Sequence, residues 1–184
     1  MHNSSMLISK ASEIALKVHG SQVDKKGYPY MSHVSDIARR VSQLGEPYEV
    51  VGLLHDVIED ADPKEFQEAV IADIKSSFSN EIFQSIVAMT KRPDEDYFEG
   101  YLARVKNNKI ALQVKIADAS HNLSKAHLIE DVKLQDKLRA KYIKVLDELG
   151  EDGLLCEKPL IFKNNSWQEN HGTSKGTKAS LRAC

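Results

Sequence analysis

Apolar residues recur at helical spacing along most of the chain. Leu7, Ala11, Ile14, Ala15 and Val18 share one face of a first helix that Gly20 can end. Val34, Ile37, Ala38, Val41 and Leu44 repeat the pattern up to Gly45, and Pro47 then suits the opening turn of a helix carrying His55 and Asp56. Asp62-Pro63 followed by Glu65 reads as a further helix start, with Asp62 as the capping side chain. Phe66, Ala69, Val70, Ile74 and Phe78 give that helix its buried face. Ile82, Phe83, Ile86 and Val87 predict a short helix that breaks near Lys91-Arg92-Pro93. Tyr97, Tyr101, Leu102 and Val105 predict another, Ile110 to about Leu128 a long one, and Leu134 to Leu149 a last one stopped by Gly150. No segment shows strand alternation and no repeat is visible, so the expected fold is all-α.

The pattern changes after Gly150. A helical domain is expected over 4–150, followed by an irregular strap over 151–163, where Leu154, Leu155, Leu160, Ile161 and Phe162 can still pack on the core. From Asn164 to Cys184 the chain is rich in Asn, Ser, Gly, Thr and Lys, which predicts a flexible polar tail.

Composition narrows the function classes. The 184 residues suit one domain, and the net charge of -2 supplies no broad basic field, so no nucleic-acid partner is expected. No apolar run approaches the roughly 20 residues of a membrane-spanning helix, and Met1–Lys10 lacks the plan of a signal peptide. Cys156 and Cys184 come late and without ligand spacing, which fits a reducing cytoplasm. Oligomeric state leaves no signal in the sequence.

The densest chemistry lies in Leu53-Leu54-His55-Asp56-Val57-Ile58-Glu59-Asp60, where four ionisable groups crowd an otherwise apolar segment. Burying that much charge is costly unless it is compensated, and a bound cation is an economical compensation. Two other segments add matching groups: His33, and Asp118 within Lys115-Ile116-Ala117-Asp118-Ala119-Ser120-His121-Asn122. Two imidazoles and two carboxylates suit Mn²⁺, Fe²⁺, Zn²⁺ or a similar divalent ion. Each residue also has an ordinary structural reading: His33 as a packed histidine, and Asp118 as an ion-pair partner of Lys115.

The order His33, His55-Asp56, Asp118 resembles the HD superfamily of metal-dependent phosphohydrolases. Within it, His19-Gly20-Ser21-Gln22, Gly27-Tyr28-Pro29-Tyr30, Leu53–Asp60, Thr90-Lys91 and Lys115–Asn122 are most similar to the hydrolase domain of the Rel/Spo alarmone enzymes and their small single-domain relatives. These blocks span about residues 11–130. The resemblance implies an HD-domain helical bundle with a central metal, usually Mn²⁺, and removal of pyrophosphate from the 3′ position of (p)ppGpp. It implies metal binding by His33, His55, Asp56 and Asp118, with Glu59 and Asp60 handling the protons of the attacking water and leaving oxygen. Asn122, Lys25 and Lys26 would contact a small-molecule nucleotide substrate. The chain departs from the family pattern at Asp24, Ala119 and Ser124, where arginines are usual. An aspartate cannot stack on a base as a guanidinium can, so another phosphorylated nucleotide or cofactor is the alternative substrate. A non-catalytic nucleotide-binding module is the alternative of a different class.

Overall fold

The computed structural model describes residues 3–150, 160–163 and 166–169. Among the described residues, nine α-helices follow one another: α1 (Asn3–His19), α2 (Tyr30–Val41), α3 (Glu46–Leu54), α4 (Val57–Asp60), α5 (Lys64–Ser77), α6 (Asn80–Met89), α7 (Ala103–Lys106), α8 (Lys109–Lys125) and α9 (Val132–Leu149). They form the all-α bundle that the apolar spacing predicts. Short side chains start several of them: Ser79 accepts from the Ile82 N–H, Asn108 from those of Ile110 and Ala111, and Asp131 from that of Leu134.

α8 is the axis of the bundle. From Ile110 to Leu123 nearly every residue is buried, and the helix packs against α2, α3, α6, α7 and α9. The main core joins Ile14, Ile37, Val51, Leu54, Ile74 and Ile86 from five helices. A second cluster, Leu102, Leu112, Ile116, Val145 and Leu149, fixes α9 to the other side of α8. Because α8 is buried nearly all round, its buried polar residues mark where it meets something other than apolar core: Gln113, Lys115, Asp118 and His121.

α2 and α3 approach closely at Gly52. A Cβ placed there would lie 2.8 Å from the Ala38 Cα, backbone against backbone, so only glycine permits this spacing. The close crossing brings His33 on α2 beside the C-terminal end of α3, where His55 follows.

Four local expectations are corrected. His55 and Asp56 do not lie within one helix; they form a turn between α3 and α4, although the Asp60 N–H still reaches the Asp56 carbonyl at 3.0 Å. Asp62 does not cap α5: Pro63 occupies the cap position without a side-chain bond, and the Asp62-Pro63 peptide is cis. Ala69 is exposed, so the buried face of α5 narrows to Val70, Ile74 and the following Phe78. The Tyr97 segment forms a π-helical turn, Tyr97–Leu102, started by the Asp96 carboxylate before α7 continues it.

Beyond the bundle, β1 (Leu160–Lys163) pairs antiparallel with β2 (Ser166–Glu169), with Phe162 opposite Trp167. The sequence shows no strand alternation there. The rest of the expected strap and tail, including Cys156 and Cys184, lies outside the described residues.

The α2–α3 crossing generates a stability test. Gly52→Val should cost about 2–3 kcal/mol in urea unfolding, because two packed backbones must separate to admit the side chain. An unchanged unfolding midpoint would show that the crossing is not tight.

Candidate metal centre

His33 on α2 and His55-Asp56 in the α3–α4 turn converge in the bundle centre, with Asp118 of α8 alongside. The His55 Nε2 lies 3.0 Å from the Asp56 Oδ2, and the His33 Nε2 lies 4.0 Å from the same oxygen. One ligand atom each from His33, His55 and Asp56 falls within 4.8 Å of the other two. Asp118 stands beside this triad, its Oδ1 3.4 Å from the His33 Nε2.

The far sides of both imidazoles are anchored, which decides what their near sides offer. The Nδ1–H of His55 donates to the Gly52 carbonyl at 2.9 Å. Its Nε2 is then left buried without a hydrogen bond, despite the carboxylate 3.0 Å away. His33 is tied through its Nδ1 to the Nδ1 of His121 at 2.9 Å, and the His121 Nε2 lies 3.2 Å from the Asp36 Oδ2. The His33–His121 contact holds the His33 ring by its Nδ1, as Gly52 holds His55 by its own. Both histidines therefore present an Nε2 to the Asp56 carboxylate. Nitrogen and oxygen donors crowded together without bonding one another fit a shared divalent cation.

Electrostatics agree with that demand. Burial lowers His33 to about 4 and His121 to about 3, so both rings are neutral at neutral pH. Burial also opposes charge on His55, yet the adjacent Asp56 carboxylate outweighs it and raises the imidazole to about 9. The pocket beside Asp56 is one where positive charge is held, as a proton or as a metal ion that displaces it. Although burial pushes the other way, His55, His33 and the Tyr30 hydroxyl keep Asp56 well below the usual carboxylate range.

Asp118 is buried and already well partnered. Its Oδ2 accepts from the Lys115 Nζ at 2.8 Å, while its Oδ1 accepts from the Asn122 side-chain amide. Thus the ion pair with Lys115 forms, and Asn122 is neither a free surface amide nor simply a substrate contact: it orients Asp118.

Two cavities border the triad at Asp56. One, of about 380 Å³, is lined by Lys25, Lys26, Asp60 and Asn122 together with the apolar Val23, Ala126, Ile129 and Leu138. The other, of about 320 Å³, contains Glu59, Lys91, Tyr97 and Lys141. Asp56, Lys115, Asp118 and Tyr142 border both. Glu59 and Asp60, adjacent in sequence, thus face different spaces. Burial followed by other influences raises both carboxyls, the Asp56 charge contributing in each case. Glu59 is held by the Lys91 N–H at 2.8 Å. Lys25 is exposed at the first cavity's rim, whereas the Lys26 Nζ pairs with Asp24 at 3.0 Å. Asp24 also accepts the Lys26 and Tyr28 N–H groups, so it builds the turn at Gly27, whose φ is +81°.

Sequence reasoning left several contributors without a role. The Tyr30 hydroxyl donates to the Asp56 Oδ2, while Tyr30's ring packs 4.9 Å from that of buried His19. His19 in turn contacts Gln22 at 2.7 Å and approaches Asp60 at 3.7 Å. The Gly-x-Pro-Tyr block and the His19–Gln22 spacing carry that signal in the sequence, but neither names the partners. Lys141 on α9 has no local signal at all.

Together these features define a helical bundle with a clustered His/His/Asp site able to chelate a divalent metal ion. The sequence is homologous over part of its length to proteins of the Rel/Spo (p)ppGpp synthetase/hydrolase family. It is 29% identical over 126 residues to the guanosine-3′,5′-bis(diphosphate) 3′-pyrophosphohydrolase of Aquifex aeolicus, covering 63% of this chain and 17% of that protein. It is 31% identical over 127 residues to the GTP pyrophosphokinase of Myxococcus xanthus, covering 64% and 17%. A probable guanosine-3′,5′-bis(diphosphate) 3′-pyrophosphohydrolase of Mycoplasma pneumoniae is 33% identical over 135 residues, covering 72% and 17%. The matched region is thus about a sixth of the length of these relatives. No protein-family model matches the sequence. Among the described residues, no helix is long and apolar enough to cross a membrane.

Two substitutions test the centre. Asp56→Ala should abolish stoichiometric Mn²⁺ binding, measured by metal analysis after desalting. Tyr30→Phe, which removes only the hydroxyl that orients Asp56, should weaken Mn²⁺ affinity about 10–100-fold with unchanged helix content. Full metal occupancy in Asp56→Ala would remove Asp56 from the ligand set.

Proposed function

We propose that the protein is a divalent-metal-dependent phosphohydrolase, with guanosine 3′,5′-bis(diphosphate) as substrate and pyrophosphate as a product. The observation that carries this reading is the pair of inward-aimed Nε2 atoms of His33 and His55 at the Asp56 carboxylate, which borders two cavities that each bring lysines and a carboxylic acid to it. The partial homology supports the phosphorylated guanosine substrate, and the same resemblance implies Mn²⁺ as the ion.

His33, His55 and Asp56 would hold the metal, with Asp118 as a further ligand steered by Lys115 and Asn122. A divalent ion there supplies Lewis-acid chemistry, neutralising phosphoryl oxygens and making water more acidic. In the hydrolysis, water attacks the phosphorus next to the 3′ oxygen and that P–O bond breaks. The sugar oxygen takes a proton, and the diphosphoryl group departs with the oxygen of the water. Attacking and leaving oxygens stand on opposite sides of phosphorus in such a displacement. Glu59 and Asp60 line different cavities beside Asp56, so each can serve one of these two oxygens. Asp60 shares its cavity with apolar side chains that suit a nucleoside, so it is assigned the proton given to the sugar oxygen. Glu59, in the other cavity and fixed by the Lys91 N–H, is assigned the water. Their raised pKa values suit proton transfer, while ionised Asp56 suits a ligand.

A second reading keeps the centre and changes the nucleotide. Asp24 favours it: at the position where the family has an arginine, this carboxylate is committed to its own turn and to Lys26.

Purified protein with Mn²⁺ should release pyrophosphate from ppGpp, and chelation should stop the release. Glu59→Gln and Asp60→Asn should each retain the metal and lose about 10²-fold or more in turnover. If metal-loaded protein leaves ppGpp intact but cleaves another 3′- or 2′-phosphorylated nucleotide, the second reading replaces the first.

A further inference from the structure

The cavity on the Glu59 side holds a lysine with no ion pair of its own, although Glu59 and Asp118 line the same space. Lys141 is half-buried, and its Nζ lies 4.3 Å from the Tyr97 ring centre and 5.6 Å from that of Tyr142. No carboxylate of the described residues pairs with it. Burial, followed by the charge of Lys115, lowers its pKa from the ordinary lysine value. Aromatic faces return only about 0.5–2 kcal/mol to a cation, which leaves a partly desolvated ammonium short of compensation. An anion in the cavity would complete it.

The remaining charges say which anion fits. Lys115 is occupied by Asp118. Lys91 lines the same cavity from the loop after α6, half-buried, with its Nζ on the Arg92 carbonyl at 3.2 Å and its backbone tied to Glu59. The cavity of about 320 Å³ adjoins Asp56 and Asp118. A phosphoryl group at the metal centre could therefore extend a second phosphate into it. In the other cavity Lys26 is paired with Asp24, which leaves the exposed Lys25 as the lysine there that a phosphate could meet.

We propose that Lys141, with Lys91 across the same cavity, forms a second anion subsite that takes the terminal phosphate of a diphosphoryl group whose first phosphate lies at the metal centre. The subsite makes the site selective for diphosphate over monophosphate. This inference rests on the phosphohydrolase reading of the centre, but it predicts binding that can be measured without turnover.

The test is calorimetric titration of the metal-loaded protein with pyrophosphate and, separately, with inorganic phosphate. Mg²⁺ is kept in excess in both solutions so that pyrophosphate does not strip the site. The unmodified protein should bind pyrophosphate about tenfold or more tightly than phosphate. Lys141→Met should erase most of that preference while leaving phosphate affinity unchanged, and Lys141→Arg should retain it. Lys144→Met removes an exposed lysine of α9 that sits 3.9 Å over the Phe98 ring and does not line the cavity, so the preference should survive. Should Lys141→Met fail to fold, Lys91→Met in the exposed loop carries the same expectation. An undiminished preference in Lys141→Met, or in Lys91→Met where it stands in, would overturn the proposal. So would an equal loss in Lys144→Met, which would reduce the effect to overall charge. Failure to hydrolyse ppGpp with the pyrophosphate preference intact would instead count against the guanosine substrate alone and support the subsite.

Discussion

The structure turns on the Asp56 carboxylate, an anion placed among buried groups that all adapt to it. Tyr30 gives it a hydrogen bond, His55 and His33 face it with ring nitrogens, and Asp118 stands across His33 as a second negative charge. Two carboxylates at this depth repel one another and are expensive to desolvate. The protein compensates Asp118 internally, with Lys115 and Asn122. Asp56 receives only neutral donors and one imidazole whose charge depends on a proton. A metal ion supplies what that arrangement lacks.

Holding such a cluster requires rigid elements on every side, and the bundle provides them from three helices. Gly52 performs two tasks within α3. Its missing side chain lets α2 come near enough for His33 to reach the centre, and its carbonyl fixes the ring of His55. α8 passes behind both, apolar along most of its length and polar where Lys115, Asp118 and His121 meet the cluster. On the far side, Arg104 binds the Val87, Ala88 and Thr90 carbonyls and the Glu95 carboxylate, pinning the loop whose Lys91 N–H holds Glu59. The same packing that stabilises the fold thereby sets the positions of the ligands and acids.

The helices were legible because helical spacing of apolar residues reports which face is buried, and α1, α2, α6 and α9 follow it closely. The residues of the cluster were legible for a different reason: His55-Asp56 interrupts an apolar run, and charge in such a run demands compensation. What could not be read was geometry that depends on two segments at once. Four-residue spacing does set Asp56 and Asp60 on one cavity, but that Glu59 lines another depends on Lys91, Tyr97 and Lys141 from distant segments. Tyr30, His121 and Lys141 acquire roles only from partners 26, 88 and 44 residues away in sequence. α5 does start beside Asp62-Pro63 with Glu65 in its first turn, but Pro63 and not Asp62 occupies the cap position.

The two cavities also bear on how substrates would be told apart under the proposed reading. On the nucleoside side, Asp24 is spent on its own turn and Lys26 is spent on Asp24, so the wall offered to a base is Val23, Ile129 and Leu138. An apolar wall gains free energy from burying a base, about 25 cal/mol per Å² of apolar surface, but it reads few of the hydrogen-bonding groups that separate one base from another. Discrimination by burial alone is accordingly weak, of the order of the 10–200-fold that an apolar pocket achieves between close analogues. Charge placement is stricter, because each cavity sets lysines and a carboxyl group apart and a phosphate is held only where it meets the lysines. The arrangement therefore favours a site that selects its substrate by the position and number of phosphates more than by the base, which is the sense in which Asp24 and Lys141 belong to one design.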